Sequence, residues 1–243
     1  MELFIIRHGQ STNNVSMIYD AKDREADPPL TELGQKQAAK VAEYLSKTEN
    51  FAHWVERKSE ERETMNGFGI TRLFCSPMLR TLQTSLPISK ALNLQPEVWP
   101  DLHEHGGLHL DTGDERGILG FPGLSRSAMM EQFPGYVLQE SITEKGWYDF
   151  SHGVEDIAGA MARAIRVANV LKSQANSRQR IALVIHGTFA DALLKALMNL
   201  LPSHELYFLM YNTGITRIDF RSDGKMVPRY MNRVEHLAPD EVS

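Results

Sequence analysis

Two apolar runs in this chain end in the same way, and that repeated ending constrains the fold more than any other feature. The runs are LFIIRHG, which begins at Leu3, and ALVIHGT, which begins at Ala182. Each predicts a short buried strand that is followed by a histidine and a glycine. A strand that only packs against a core has little use for a titratable group at its end. The pattern therefore predicts that two strands carry His8 and His186 to one edge of a sheet.

Strand-like and helix-like patterns alternate along the chain. The stretch PPLTELGQKQAAKVAEYLSK has apolar residues at helical spacing, with Thr31 as its N-cap. GITRLFCSP predicts a second strand, and Ser76 as an N-cap with Pro77 in the first turn predicts a helix that begins at once. That helix would carry Arg80 in its first turn, and we expect Pro87 to end or kink it.

Less regular segments separate these elements. Residues 49–68 are charged and weakly periodic, and we interpret them as a surface excursion. LQPEVW predicts a short third strand, and residues 105–150, rich in Gly and Pro, predict a cap-like insertion with one helix near 125–133. A helix follows at about 154–173, and the tail from LYFLMYNTG onward predicts strands with a hairpin at 222–224.

This alternation predicts an α/β fold, a three-layer α/β/α sandwich around a mainly parallel central sheet. The sequence contains no internal repeat and no change of composition that would mark a second domain. We therefore expect residues 1–243 to form one domain that carries the insertion at about 105–150.

Composition argues against several classes of protein. The net charge of −5 leaves no basic excess with which to bind nucleic acid or an anionic membrane surface. No run approaches the roughly 18 apolar residues of a membrane span, and Glu2 and Arg7 interrupt any signal-peptide pattern. A single cysteine, Cys75, allows no internal disulfide. We expect a cytoplasmic protein with no nucleic-acid or membrane partner.

The two strand endings predict a pocket for a phosphoryl group. Ligands of open parallel sheets bind at the carboxyl ends of the strands, where His8 and His186 would meet. Arg7 adjoins His8, and Arg80 would reach the same edge from a helix N-terminus, which itself favours anions. The planar guanidinium of arginine suits phosphate oxygens, and Gly187 allows the backbone to approach closely.

A different chemistry is considered at HEHGGLH, where His103 and His105 would share a strand face with His109 nearby. Asp101 and Glu115 are further candidate ligands, although no cysteine and no clear set of carboxylates accompanies the histidines. Neither a P-loop nor a GxGxxG motif is present, so those nucleotide-binding devices are not predicted. We expect no metal and no cofactor.

Five motifs follow one another along the chain in this order: RHGQSTNN, DPPLTELGQKQA, FCSPMLRTLQTS, LHEHGG and VIHGTF. Together they resemble the histidine phosphatase superfamily, in its phosphoglycerate-mutase-like branch. The resemblance implies that His8 is a nucleophile that becomes transiently phosphorylated. It further implies that Arg7, Arg80 and His186 hold the phosphate with Asn14, and that Glu104 protonates the leaving oxygen and then activates water.

Other segments differ from the glycolytic mutases of that branch. The sequence after Glu104 lacks RHYGGL and the paired arginines that would hold a phosphoglycerate carboxylate. We therefore favour hydrolysis over mutase activity. The insertion would roof the site and select the substrate, with Arg116 and Arg126 as candidates for a second anionic group. Trp147 and Tyr148 would line an apolar wall or pack the insertion.

The resemblance thus predicts a cofactor-independent phosphomonoester hydrolase that acts on a small phosphorylated molecule. A phosphoglycerate mutase or bisphosphoglycerate-type enzyme is the first alternative. A protein that binds phosphorylated ligands without turnover is the second, although such a protein would not need Glu104. Exposed edges of such sheets often pair, so a homodimer is one expected oligomeric state.

Overall fold

The chain folds around one long mixed sheet. In this computed structural model, which describes residues 1–15, 24–47, 67–203 and 205–243, the strands are β1 (Glu2–Arg7), β2 (Arg72–Cys75), β3 (Pro96–Val98), β4 (His109–Asp111), β5 (Ile118–Gly120), β6 (Val137–Leu138), β7 (Arg180–Ile185), β8 (Ile215–Phe220) and β9 (Met226–Arg233). The α-helices within the same residues are α1 (Thr12–Val15), α2 (Glu32–Ser46), α3 (Leu79–Leu92), α4 (Arg126–Gln132), α5 (Ile157–Ser173) and α6 (Gly187–Met198).

The seven strands of the main sheet follow the order β6-β3-β2-β7-β1-β8-β9. Neighbours from β6 to β1 pair in parallel, whereas β8 and β9 are antiparallel additions at one side. β1 and β7 are adjacent, and the last pair in their register is Arg7 with Ile185. The next residues are His8 and His186, so the prediction that both histidines reach one edge of the sheet is confirmed.

Alternate side chains of β1 enter two separate cores. Phe4 and Ile6 belong to the cluster that includes residues of α2 and α3, and Leu3 and Ile5 belong to the cluster that includes residues of α5 and α6. All four side chains are fully buried, and each contributes roughly 1.5–3 kcal/mol of hydrophobic stabilisation. This burial fixes the strand whose end carries His8. The predicted α/β/α sandwich with a mainly parallel sheet is confirmed.

The N-terminus of α2 is as predicted, because the Thr31 hydroxyl accepts a hydrogen bond from the Gly34 amide at 3.0 Å. The helix after β2 begins later than expected. Its N-cap is Met78, which makes no side-chain capping bond, so the N-cap prediction for Ser76 is wrong. Arg80 is nevertheless in the first turn of α3, as predicted.

Two other local predictions need correction. Pro87 lies inside α3, which continues to Leu92, so this proline does not end the helix. Residues 206–214 contain no strand, and the tail forms only the hairpin of β8 and β9, with the expected turn at 222–224. The predicted excursion at 49–68 lies outside the described residues except for its last two positions.

The segment 105–150 is tied to the rest of the structure at several points. It contains the β4–β5 hairpin, α4, which matches the helix expected near 125–133, and β6, which pairs with β3 at the edge of the main sheet. The hydroxyl of Tyr136 donates to the carbonyl oxygen of Leu82 in α3 at 2.8 Å. Within the described ranges, no helix is both long enough and apolar enough to cross a membrane.

Candidate active site

His8 is buried at the end of β1, and its hydrogen bonds assign one tautomer. Nδ1 is 2.6 Å from the carbonyl oxygen of Gly9, which can only accept, so Nδ1 carries the proton. Nε2 is therefore unprotonated, and it accepts a hydrogen bond from Nε of Arg80 at 3.1 Å. Burial, followed by the charges of Arg80 and Arg7, holds the pKa of His8 well below its usual value of 6.5. The imidazole is neutral, with its lone pair on Nε2.

His186 lies beside His8, with 5.1 Å between the ring centroids. Nε2 of His186 is 2.8 Å from the Ser76 hydroxyl oxygen, which also accepts from the amide of Met78 at 3.3 Å. Burial and the charge of Arg80 hold the pKa of His186 well below 6.5. Nδ1 of the ring is a buried nitrogen with no hydrogen-bond partner among the described residues.

Arg7 also has a buried nitrogen, Nε, that could donate a hydrogen bond to a ligand. Its Nη1 donates to the carbonyl oxygen of Met210 at 2.6 Å, which fixes the guanidinium. Its Nε is buried and has no hydrogen-bond partner in the described part of the chain. Burial lowers the pKa of Arg7, while Glu104 and Tyr207 oppose that shift. A buried donor without an acceptor costs about 1–3 kcal/mol, so this nitrogen is suited to an anionic oxygen that arrives with a ligand.

Arg80 joins His8 to a carboxylate that the sequence patterns did not single out. Its Nη1 is 3.8 Å from Oδ1 of Asp27, and that oxygen accepts from the amide of Leu79 at 3.0 Å. Burial raises the pKa of Asp27 to about 6, against the opposing charge of Arg80. Asp27 thus ties the segment before α2 to the N-terminus of α3, next to the guanidinium that contacts His8.

Glu104 caps the N-terminus of α6 from a distant part of the chain. Oε1 accepts from the amides of His105 and Phe189 at 2.9 and 2.8 Å, and Oε2 accepts from the amide of Thr188 at 3.2 Å. A carboxylate at a helix N-terminus is favoured by the unpaired amides and by the helix dipole. These bonds place the carboxylate in the wall of the pocket that His8, Arg7 and Arg80 also line.

Asn14 and Gly187 lie close to this centre. Oδ1 of Asn14 accepts from the amide and the hydroxyl of Ser11, both at 3.0 Å, and Asn14 lines the pocket. A Cβ atom at Gly187 would lie 3.5 Å from Nε of Arg7, so this glycine adjoins the guanidinium. Asn212 donates to the carbonyl oxygen of His8 at 2.9 Å and fixes the backbone there.

Arg7, His8, Asn14, Arg80 and Glu104 line a cavity of about 710 Å³ that opens to solvent, and His186 and Gly187 lie outside its lining. The buried His8 and Arg80 form its inner end with Arg7. The exposed Arg24 and Asp111 also line it, so its lining carries both signs of charge. The arrangement can hold a phosphoryl group at its inner end and the rest of a polar molecule towards the mouth.

Two predicted substrate contacts do not reach this cavity. Arg116 is paired with Asp114 through two hydrogen bonds, with Nε to Oδ1 at 3.0 Å and Nη2 to Oδ2 at 2.8 Å, on the exposed β4–β5 turn. Arg126 donates to the carbonyl oxygens of Gln139 and Ile142 at 3.0 and 3.1 Å. Neither residue lines the cavity, and these contacts lie within the insertion itself, so a role in holding a second anionic group stays a prediction.

The arrangement considered for a metal is also not formed. Residues 103–108 contain no strand, so His103 and His105 do not share a strand face. The Nδ1 atoms of His103 and His109 instead contact backbone carbonyl oxygens of Pro100 and Gly106. Across the ranges that the structure describes, no group of three or more His, Cys, Asp or Glu residues could hold a metal ion.

Trp147 and Tyr148 pack the insertion, which was one of two expected roles. Trp147 is buried, with its ring centroid 5.7 Å from that of His103, and the Tyr148 hydroxyl donates to the carbonyl oxygen of Gly106 at 3.3 Å. Neither belongs to the residues that line the catalytic cavity.

Sequence reasoning missed the residues that support the central side chains. Asp27 lies inside the quoted motif DPPLTELGQKQA and Ser76 inside FCSPMLRTLQTS, but a role for either needs contacts with Arg80 and His186 that only the fold creates. Asn212 lies in YNTGITR, where no periodicity or spacing indicates a site.

A family model described as the histidine phosphatase superfamily (branch 1) matches residues 3–56 and 56–233. The chain belongs to this superfamily. Relatives of nearly matching length carry two kinds of name. A probable phosphoglycerate mutase of Yersinia enterocolitica is 25% identical over 221 residues, which cover 91% of this chain and 86% of that one. A broad-specificity phosphatase of Saccharomyces cerevisiae is 22% identical over 254 residues, which cover 99% of this chain and 89% of that one.

Two further matches concern a short region and the fold. A PE-PGRS family protein of Mycobacterium tuberculosis is 32% identical over 107 residues, so the chain spans 15% of that protein, and the match covers 44% of this chain. A phosphoserine phosphatase of Entamoeba histolytica, solved as a mutant with phosphoserine, aligns with a TM-score of 0.58 at 22% identity and covers 98% of this chain and 99% of that chain. At this identity the structural match supports the histidine phosphatase fold alone.

Proposed function

We propose that this histidine phosphatase superfamily member is a cofactor-independent phosphomonoester hydrolase that acts through a phosphohistidine at His8. The proposal depends on the protonation of His8 and on the unpartnered nitrogens around it. The neutral imidazole of His8 has its lone pair on Nε2, and two buried nitrogens near it, Nε of Arg7 and Nδ1 of His186, have no partner among the described residues. A phosphoryl group supplies an electrophile for Nε2 of His8, and its oxygens accept from Nε of Arg7 and from Nδ1 of His186 in the tautomer that carries its proton there.

In the first step, Nε2 of His8 attacks phosphorus, and the bond from phosphorus to the ester oxygen breaks. Arg80 shifts its donors from Nε2 to the phosphoryl oxygens, and Arg7 and His186 hold the charge on the remaining oxygens. Asn14 and the backbone at Gly187 complete the contacts. A protonated Glu104 gives its proton to the leaving oxygen, so the products are an alcohol and phosphohistidine.

In the second step, the ionised Glu104 takes a proton from water, and the water oxygen attacks phosphorus. The bond between phosphorus and Nε2 breaks, which releases inorganic phosphate and restores the neutral imidazole with Nδ1 still bonded to Gly9. Positioning and charge stabilisation supply most of the catalysis of phosphoryl transfer, and the two arginines provide both here.

The decisive experiment is phosphate release from a panel of phosphomonoesters, with a chelator present and with His8→Ala as the comparison. We expect turnover that is insensitive to the chelator and absent in the variant. A folded His8→Ala protein with substantial activity would disprove the role of His8 as nucleophile. Arg80→Ala should lower kcat/KM by about 10²–10³, because it removes one preorganised donor to the transferring group. Arg80→Lys keeps the charge without the guanidinium and should recover only part of that loss.

Phosphoglycerate mutase activity is the second candidate, because relatives that match 91% of the chain are named probable phosphoglycerate mutases. The mutase reaction returns the phosphoryl group from His8 to another hydroxyl instead of to water. Phosphorus NMR with 3-phosphoglycerate, with and without a bisphosphorylated primer, separates the two. Interconversion without net phosphate release would favour the mutase, whereas tight binding without either reaction would favour a binding protein.

We also infer the cellular setting. The single, buried Cys75 is typical of a protein in a reducing compartment, so we place the enzyme in the cytoplasm with a small phosphorylated molecule as its partner. A homodimer stays part of the proposal, and sedimentation of the purified chain tests it.

A further inference from the structure

A second cavity, of about 240 Å³, lies between the N-terminal parts of α5 and α6. Ile157 and Met161 of α5, Ala192 of α6 and Tyr207 form its apolar walls. Ile157 and Tyr207 are each 49% exposed, so apolar surface is available to a ligand at the mouth. The volume is below the roughly 300–1,000 Å³ that accommodates a drug-sized molecule, and it suits a single ring or a short branched chain.

This cavity borders the catalytic pocket. His105 lines both spaces. Thr188, which lines the smaller one, donates its amide to Oε2 of Glu104 at 3.2 Å. A Cβ atom built on Gly187 would lie 3.7 Å from the Tyr207 hydroxyl and 3.5 Å from Nε of Arg7. The smaller cavity therefore begins next to the carboxylate that would protonate the leaving oxygen.

The charged groups of this cavity are already neutralised. Nζ of Lys195 is 2.7 Å from Oδ2 of Asp191 and donates to the carbonyl oxygen of Ser203 at 2.8 Å. Oδ1 of Asp191 accepts from the amide of Phe208 at 2.9 Å. Both side chains are buried. No charge of this pair is left over for an anionic ligand, so the cavity favours uncharged groups.

We propose that this cavity is a leaving-group subsite that receives an apolar, uncharged part of the substrate's alcohol. The phosphoryl group lies between Arg7, Arg80 and His8, the ester oxygen faces Glu104, and the hydrocarbon part passes His105 into the space between α5 and α6. His105 has a buried Nε2 without a hydrogen-bond partner among the described residues, so a hydroxyl or ether oxygen of the ligand can bond to it. The inference rests on the proposed phosphomonoesterase activity, because it assigns the substrate class of the same site.

The test compares two esters of primary alcohols, benzyl phosphate and glycerol 1-phosphate, by the ratio of their kcat/KM values. We expect benzyl phosphate to be favoured by about tenfold or more, which is the scale of discrimination that an apolar subsite achieves. Ala192→Phe fills the cavity from α6 and should reduce the ratio about tenfold. Ile157→Ser removes apolar wall from the α5 side and should also reduce it.

Ala162→Phe is the matched control, since Ala162 is an exposed residue of α5 that does not line the cavity. It should leave the ratio unchanged. A wild-type ratio near one, or a ratio that Ala192→Phe and Ile157→Ser do not change, would overturn the subsite.

A binding measurement separates this inference from the proposed activity. Calorimetry with benzylphosphonate and methylphosphonate, which have no cleavable ester bond, reports the subsite even without turnover. Tighter binding of benzylphosphonate that is lost in Ala192→Phe supports the subsite, and equal binding of the two contradicts it. Absence of hydrolysis for every ester contradicts the proposed activity alone.

Discussion

The ring of His8 donates from Nδ1 to Gly9 and accepts at Nε2 from Arg80, and both contacts depend on the ring being neutral. Two arginines next to the ring and the loss of water around it both oppose a positive charge. In the proposed mechanism, the groups that would bind the phosphate dianion are therefore the same groups that keep the imidazole of His8 neutral. At the scale of the residue, proposed ligand binding and proposed nucleophile activation have one physical cause.

The first prediction concerns the protonation of this ring. Because the pKa of His8 is lowered, the imidazole should stay neutral as the pH falls through 6.5, and a proton should add only at considerably lower pH. Nitrogen-15 NMR of the histidine rings between pH 5.5 and 8 checks this, with His8→Gln used to assign the signal. A His8 signal that titrates near 6.5 would contradict the lowered pKa of this ring.

The second prediction concerns Asp27. Its pKa is about 6 in the folded chain and 3.8 as the reference value, so the folded state binds this proton more tightly than the unfolded state. The favourable contribution of Asp27 is complete below about pH 4 and is lost as the pH rises through 6. Asp27→Asn removes this dependence while it can still accept from Leu79. The variant should gain about 1–3 kcal/mol over the wild type between pH 4.5 and 7.5.

Urea denaturation of both proteins at the two pH values measures that difference. Parallel changes in the free energy of unfolding would show that Asp27 does not titrate in this range. Activity measured on the same samples reports separately whether the carboxylate also positions Arg80.

At the scale of helices and strands, sequence patterns predicted those features that depend on neighbouring residues. The cap of α2 at Thr31 and the apolar runs of β1 and β7 are local, and the structure contains them. The start of α3 was misplaced because the Ser76 hydroxyl accepts from the amide of Met78 before the helix begins and contacts His186 from another strand. Pro87 was expected to end or kink α3, and the helix continues past it to Leu92 while packed against α2 and the sheet.

The third prediction concerns the contact between α2 and the turn after β1. A Cβ atom on Gly34 would lie 2.0 Å from the backbone oxygen of Gln10, and one on Gly9 would lie 2.5 Å from the backbone oxygen of Gly34. Alanine normally stabilises a helix relative to glycine, but here it forces backbone apart. Gly34→Ala should lower the free energy of unfolding by about 1–3 kcal/mol and reduce activity, since Gln10 lies two residues from His8.

Gly159 offers a matched control for this change. Both glycines are the third residue of a helix and donate to the N-cap side chain, Thr31 in α2 and Asp156 in α5. A Cβ atom on Gly159 would meet only side-chain atoms of Glu155 and Asp156 at 3.1 Å or more. Gly159→Ala should therefore be neutral or slightly stabilising in thermal denaturation. Equal destabilisation by both changes would show that helix propensity, not the close approach, decides the outcome.

At the scale of the whole molecule, the candidate site is assembled from residues that are far apart in sequence. Its central residues come after four strands in the sequence: His8 after β1, Arg80 after β2, Glu104 after β3 and His186 after β7. These strands are distant along the chain and lie together in the sheet. The repeated strand–His–Gly ending predicted the shared edge, and the motif resemblance predicted Glu104. Supporting contacts such as Arg80 with Asp27 arise only when separate segments meet, so no single stretch of sequence contains their signal.

The fourth prediction concerns Arg163 of α5, whose side chain is almost fully buried. It pairs with Glu155 and donates to the carbonyl oxygens of Asp101 and His103, both at 2.8 Å. These contacts position the backbone immediately before Glu104. Arg163→Met leaves the partly buried Glu155 carboxylate without its arginine and should cost about 2–4 kcal/mol of stability. In protein that remains folded, kcat should fall more than KM rises, because Glu104 is displaced.

Arg166→Met is the comparison for that change. Arg166 lies one turn further along α5, its side chain is 61% exposed, and its Nη2 is 3.8 Å from Asp101. Its loss should cost about 0–1 kcal/mol and leave kcat unchanged. Chemical denaturation and steady-state kinetics on both variants supply the data. Similar effects of the two changes would show that Arg163 acts only through general packing.

The pairing of β6 with β3 has a consequence for the time course of substrate entry. An insertion joined to the edge of the sheet, and bonded from Tyr136 to Leu82 in α3, is fastened at its middle as well as at its ends. Such a segment does not swing aside as a hinged lid does. Substrate should therefore enter without displacement of this insertion, and stopped-flow binding should give no slow phase that Tyr136→Phe, which removes the bond to Leu82, would alter.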